Sequence, residues 1–193
     1  LRNAWFSGGV EWNIGLVGHC PFTCSPMFAG IVEAPDGTPV LRLWEWERIR
    51  EVPFHIDISL PEGSPVLLVK VRIVNPHEHD VFMYWWSNIA VPETEDTRVL
   101  VPSRTSYQFG YEAEMRSAAF PVREDGQELS YSTNMDRSMD NFFRIDNGIR
   151  PWICSVRENG KGLVQTSTDL LKGRKLFLWG QSTGGNNWQR FLS

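Results

Sequence analysis

The chain lacks the roughly 18 consecutive apolar residues that a membrane-crossing helix needs; the run Val66-Leu67-Leu68-Val69 stops at four. It also lacks a basic block. Nineteen Lys+Arg stand against 23 Asp+Glu, a net charge of −4, which excludes the clustered positive charge that grips nucleic-acid phosphates. Cysteine is scarce: Cys20, Cys24 and Cys154 are an odd number and too few for a disulfide scaffold. The expectation is reduced thiols in a cytoplasmic protein. No charged-then-apolar leader precedes Leu1, so the reading is a mature product or a piece of something longer.

Tryptophan, in contrast, is plentiful, with nine among 193 residues. Most of the apolar patterning has period two. Phe54, Ile56, Ile58 and Leu60 alternate with polar residues, which predicts a half-buried strand. Pro61-Glu62-Gly63-Ser64-Pro65 supplies turn chemistry, and Val66–Val74 reads as a second strand pairing back on the first. Val81–Val91 predicts a third strand, unusually aromatic. Further strands are expected at Val40–Trp46, Arg98–Val101, Phe142–Ile145, Trp152–Val156, Leu163–Ser167 and Lys175–Gly180. Asn159-Gly160 between two of them is a hairpin signal, because both residues tolerate left-handed dihedrals. Helical evidence is confined to one turn at Thr168–Lys172, and the stretch 107–140 shows little periodicity. About nine strands with short turns predict an all-β antiparallel sandwich, read as a single domain over 1–193.

Several segments carry chemistry. Gly8 to His19 packs four glycines around Glu11, Trp12, Asn13 and His19: a carboxylate, an indole, an amide and a titratable imidazole. No phosphate-loop lysine follows, so no nucleotide cofactor is expected. His19-Cys20 and Cys24 lack the paired knuckles of a structural zinc site, and His77-Glu78-His79 reads as a polar turn; no metal is expected. Glu45 and Glu47 lie on one strand face about 6.6 Å apart by strand rise. Glycosidase carboxylates must flank a bond rather than sit side by side, and Arg48 and Arg50 favour solvated ion pairs here. Trp85 and Trp86 are adjacent and must point to opposite faces of one strand. Indole faces beside polar groups suit carbohydrate, whose ring C–H groups stack while its hydroxyls hydrogen-bond.

Gly8–Gly15, Leu43-Trp44-Glu45-Trp46, Tyr84-Trp85-Trp86-Ser87-Asn88-Ile89 and Lys175-Leu176-Phe177-Leu178-Trp179-Gly180 together resemble an uncharacterised bacterial domain family. That family often precedes tetratricopeptide repeats and belongs to the galactose-mutarotase-like superfamily. The resemblance implies a β supersandwich with a concave sugar-binding face, incomplete here at both ends. A mutarotase opens the sugar ring with a histidine acid on the ring oxygen and a glutamate base on the anomeric hydroxyl. The strand ending at Asn88 looks similar to the one carrying that histidine four residues before an asparagine, but Tyr84 occupies the position. The resemblance places the glutamate base on strands beyond Ser193.

The expectation is therefore a carbohydrate-recognising domain. Glu11 and His19 are its candidate acid and base. Asn13 and Asn88 hydrogen-bond hydroxyls, and Trp12 and Trp86 offer stacking faces. The alternative is a non-catalytic module that docks neighbouring helical repeats.

Overall fold

In the computed structural model, residues 9–110 and 114–192 are described; Trp5 and Gly8 lie outside them. Two compact units divide between Ala90 and Val91. All sheets are antiparallel, and none closes into a barrel. The protein is all-β, as the period-two patterning predicts.

The first unit holds β1 (Val10–Ile14), β2 (Phe28–Glu33), β3 (Pro39–Glu47), β4 (Val52–Ser59), β5 (Leu68–Ile73) and β6 (Trp85–Ile89). β2 to β5 form a meander in chain order, and β1 pairs with β6 in a separate ribbon. The β4–β5 connection turns where Gly63 takes φ +71° and Ser64 N–H donates to the Pro61 carbonyl at 3.0 Å. One face of the meander carries Ile56 and Val52, both essentially inaccessible, and this burial anchors the sheet.

β6 begins at Trp85, four residues later than the predicted strand start at Val81. Pairing with β1 stops there because Gly15 turns away at φ +85°, after its N–H has reached the Tyr84 carbonyl. β1 itself lies in the glycine-rich segment, and β2 runs through Ala29-Gly30; glycine hides both from a propensity reading.

The second unit contains β7 (Arg98–Leu100), β8 (Thr105–Phe109), β9 (Arg116–Ala119), β10 (Met139–Phe143), β11 (Trp152–Val156), β12 (Gly162–Thr166), β13 (Arg174–Leu178) and one helix, α1 (Thr183–Leu192). The sheet orders are β13-β10-β8-β9 and β12-β11-β7. Val101, Phe120, Leu129, Met135, Phe143, Ile145 and Leu178 make its core. The predicted hairpin forms at Gly160, φ +77°, with the Asn159 side-chain oxygen accepting from Lys161 N–H. The predicted single turn is a 3-10 turn at Asp169–Leu171.

The helix α1 is not foreseen by the sequence reading. Its first turn contains Gly184 and Gly185, poor helix formers, but Ser182 caps it by accepting the Gly185 N–H at 3.2 Å. Trp188 of α1 stacks on Trp179 at 5.9 Å. Among the described residues, no helix is long and apolar enough to cross a membrane.

Within this unit, burial pushes the Glu93 carboxyl above its usual range, opposed by hydrogen bonds from Trp179 N–H and the Gln181 side chain. A raised acid in the folded state binds its proton more tightly than in the unfolded chain. Its stabilising contribution is therefore complete below the unfolded pKa and declines as pH rises through the folded one. Urea midpoints at pH 4, 5.5 and 7 should show wild type losing ground to Glu93→Gln as pH increases.

Candidate functional site

The β1–β6 ribbon decides which of the predicted residues meet. Its register sets Glu11 opposite Asn88 and Asn13 opposite Trp86, so these four share one face; Trp12 sits opposite Ser87 on the other. Trp85 and Trp86 consequently point to opposite faces, as adjacency on a strand demands.

On the first face, Glu11 is the hub. Its carboxylate oxygens both lie 3.0 Å from His19 Nδ1, and the Asn88 side-chain amide donates to one of them at 3.3 Å. The Glu11 side chain is only 8% exposed, whereas that of His19 is 46% exposed. The imidazole is further held by the Trp86 ring, edge-on at 4.9 Å and 66°, and Trp86 Nε1 donates to the Gly18 carbonyl at 3.3 Å. The arrangement is a carboxylate–imidazole dyad: Glu11 fixes the ring through Nδ1 and leaves Nε2 for a ligand.

Two predicted residues stand apart from it. Asn13 is completely buried, with its side-chain oxygen accepting the Cys20 N–H at 2.5 Å. It ties the loop after β1 back to the strand and so holds His19 in place. Trp12 lines a cavity of about 260 Å³ along with Phe22, Met27, Phe54 and Ile56, and Glu11 also reaches its lining. The sequence reading did not anticipate this cavity, whose lining comes from β1, β3, β4 and the 20–27 loop. It also missed Gly18 and Cys20, whose contributions are backbone groups that no side-chain motif reveals.

Glu45 and Glu47 diverge in environment. Glu47 is buried and accepts the backbone N–H groups of Ile49 and Arg50, while Glu45 accepts that of Trp46. His77 and His79 stack on each other in their turn, His77 Nε2 lying 3.1 Å from the Arg50 carbonyl. All three cysteines are free thiols. Among the described residues, no group of three or more His, Cys, Asp or Glu gathers as metal ligands.

The expectation that the chain holds no G-x-S-x-G is wrong: Gly180-Gln181-Ser182-Thr183-Gly184, between β13 and α1, has that spacing. A nucleophile elbow would strain the serine and expose its hydroxyl. Ser182 instead has no positive φ, and its hydroxyl serves as the helix cap. All four histidines, at 19, 55, 77 and 79, belong to the first unit. Gly180 of the motif and Gly185 just after it answer to packing: a Cβ on Gly180 would stand 2.6 Å from the Arg137 backbone, and one on Gly185 would stand 2.2 Å from the Gly180 carbonyl oxygen.

Comparison with known families yields a match over residues 1–193, the whole chain. The chain belongs to DUF5107, a domain of unknown function. Among solved structures, this DUF5107 chain is similar to a TPR-domain containing protein from Parabacteroides distasonis ATCC 8503, determined at 2.26 Å. The two share 18% identity and superpose with a TM-score of 0.78; the match covers 95% of this chain and 30% of that one. At that identity the likeness concerns the fold. The DUF5107 chain thus corresponds to under a third of its structural neighbour.

Proposed function

We propose that the chain recognises carbohydrate through the Glu11–His19–Asn88 cluster, with Trp86 as the apolar flank. The observation that carries this reading is the convergence of three polar side chains on one ribbon face. Glu11 lies eight residues from His19 and 77 from Asn88 in sequence, yet contacts both. His19 Nε2 and the second amide hydrogen of Asn88 supply adjacent polar contacts for sugar hydroxyls, and an indole beside them suits ring C–H groups. The four motifs that resemble the galactose-mutarotase-like superfamily support the same ligand class.

The dyad also supplies the chemistry of an aldose epimerase. His19 takes the proton of the anomeric hydroxyl and returns it to the ring oxygen; the bond from C1 to the ring oxygen breaks, C1 becomes a carbonyl and the proton count is conserved. His19 is the group that meets the substrate. Glu11, nearly enclosed, positions it.

The experiment is a monosaccharide and oligosaccharide panel titrated into the intact chain, read by tryptophan fluorescence. A hydrogen bond to a charged group contributes about 1.5–3 kcal/mol. Glu11→Gln should therefore weaken sugar binding about tenfold or more, and His19→Ala should do so at least equally. Polarimetry on the same sugars reads turnover.

A second reading is a non-catalytic module docking helical repeats. It draws on the TPR-domain description of the structural neighbour, of which the match covers 30%. Silence across the sugar panel together with binding to a tetratricopeptide segment decides for it.

A further inference from the structure

The β2–β5 meander has two unlike faces. One is apolar, with Ala29, Leu43, Ile56 and Val71 in a cross-strand row, and Ile56 is fully buried. The other carries two rows of a different kind. Phe28, Trp44, His55 and Arg72 lie opposite one another across the four strands, and Gly30, Arg42, Asp57 and Lys70 form the next row. Phe28 and Trp44 stack at 5.8 Å and 17°, though 62% and 40% exposed. The Trp44 ring lies over β2 at Gly30, 3.5 Å from where a Cβ there would stand, an ordinary van der Waals contact.

The stack forms the aromatic end of this second face. The adjoining charges are arranged around a bidentate pair, Arg42 to Asp57 at 2.6 and 2.7 Å, beyond which Lys70 and Arg72 remain exposed on β5. The positive field is felt by His55. Burial and the nearby Arg42, Arg72 and Lys70 lower its pKa, outweighing Asp57.

We propose that this face binds an acidic oligosaccharide, a uronate-containing glycan, with a sugar ring on the Phe28–Trp44 stack and a carboxylate on Lys70 and Arg72. Trp44 and Arg72 are two strand spacings apart, about 10 Å, which suits two linked sugar rings. Charge complementarity selects the ligand: two exposed cations at one end match a single carboxylate. A polyphosphate chain crossing the same rows would meet Asp57, and the molecule's net charge of −4 opposes it further. This surface is distinct from the Glu11–His19 cluster and does not depend on the function proposed for it.

The test is calorimetric titration of the intact chain with a short oligosaccharide carrying one terminal galacturonate, with the same oligomer carboxyl-reduced to its neutral form, and with single-stranded RNA. Wild type should bind the acidic oligomer at least fivefold more tightly than the neutral one, and salt should weaken the binding. Trp44→Ala should lower affinity about tenfold, and Arg72→Gln, at an exposed site compatible with folding, about fivefold. Lys161→Gln, which removes an exposed positive charge on the β11–β12 turn, should leave it unchanged, so that the Arg72 effect is not that of losing any one cation. Equal affinity for the neutral oligomer, no binding, or tighter binding of RNA with the same Trp44 dependence overturns the proposal.

Discussion

Replacing Gly180 with alanine should lower the unfolding free energy by about 2–5 kcal/mol, read from urea denaturation of the intact chain. Two costs add. Gly180 has φ +76°, where an L side chain costs about 1–2 kcal/mol. The new methyl would also stand 2.6–2.8 Å from the backbone N, C and O of Arg137, and backbone cannot rotate aside as a side chain can. Overpacking of that kind typically costs about 1–3 kcal/mol. Gly126 isolates the first cost, because its φ is +87° but nothing lies within 4 Å of its would-be Cβ. Gly126→Ala should therefore lose only about 1–2 kcal/mol. Equal losses for the two variants would show that the close approach of the 180 turn to Arg137 carries no weight.

That turn illustrates what a linear sequence conceals. Gly180 to Gly184 spells a hydrolase motif, but its first glycine answers to the close approach of the β13–α1 turn to Arg137, and its serine to the helix end. Neither fact has a local signature. The same reasoning covers β1 and α1, which form despite glycine because tertiary pairing and a cap outweigh weak propensity. The strand with clear alternation, β4, was legible because its one buried face imposes period two on the residues. Strand boundaries shifted where a glycine turned the chain, as at the start of β6.

At the site, residue types were legible but their partnerships were not. A Gly-rich segment holding Glu11, Asn13 and His19 signals polar function, and an Asn88 beyond a tryptophan pair signals more of it. Strand register, however, decides which face each side chain occupies. That register comes from pairing between segments about 75 residues apart, and it set Trp12 on the strand face opposite to Glu11 and Asn88. Burial then divided the remaining roles. Asn13 became a brace for the loop, Glu11 a support for His19, and His19 the exposed group.

The same separation of roles should appear in the Glu45/Glu47 pair, and here the expected effect on stability is large. Glu47 is 3% exposed and accepts backbone N–H groups from Ile49 and Arg50, closing the turn out of β3. Its side chain also lies against Gly15 at the end of β1; a Cβ there would stand 2.8 Å from the Glu47 carboxyl carbon. Glu47→Ala leaves two donors without their acceptor and empties the space beside Gly15. Each buried group left unsatisfied costs about 1–3 kcal/mol, so two donors together give an expected loss of about 2–6 kcal/mol. Glu45 accepts one N–H, from its neighbour Trp46, and Glu45→Ala should stay within about 0.5 kcal/mol. Differential scanning fluorimetry on both variants reads the contrast. Two carboxylates sharing one hydrolytic step would give the opposite pattern, with stability barely moved in either variant and glycoside cleavage lost in both. A turn built on Glu47 yields the asymmetric one, because one carboxylate holds the backbone in place and the other faces a single neighbour.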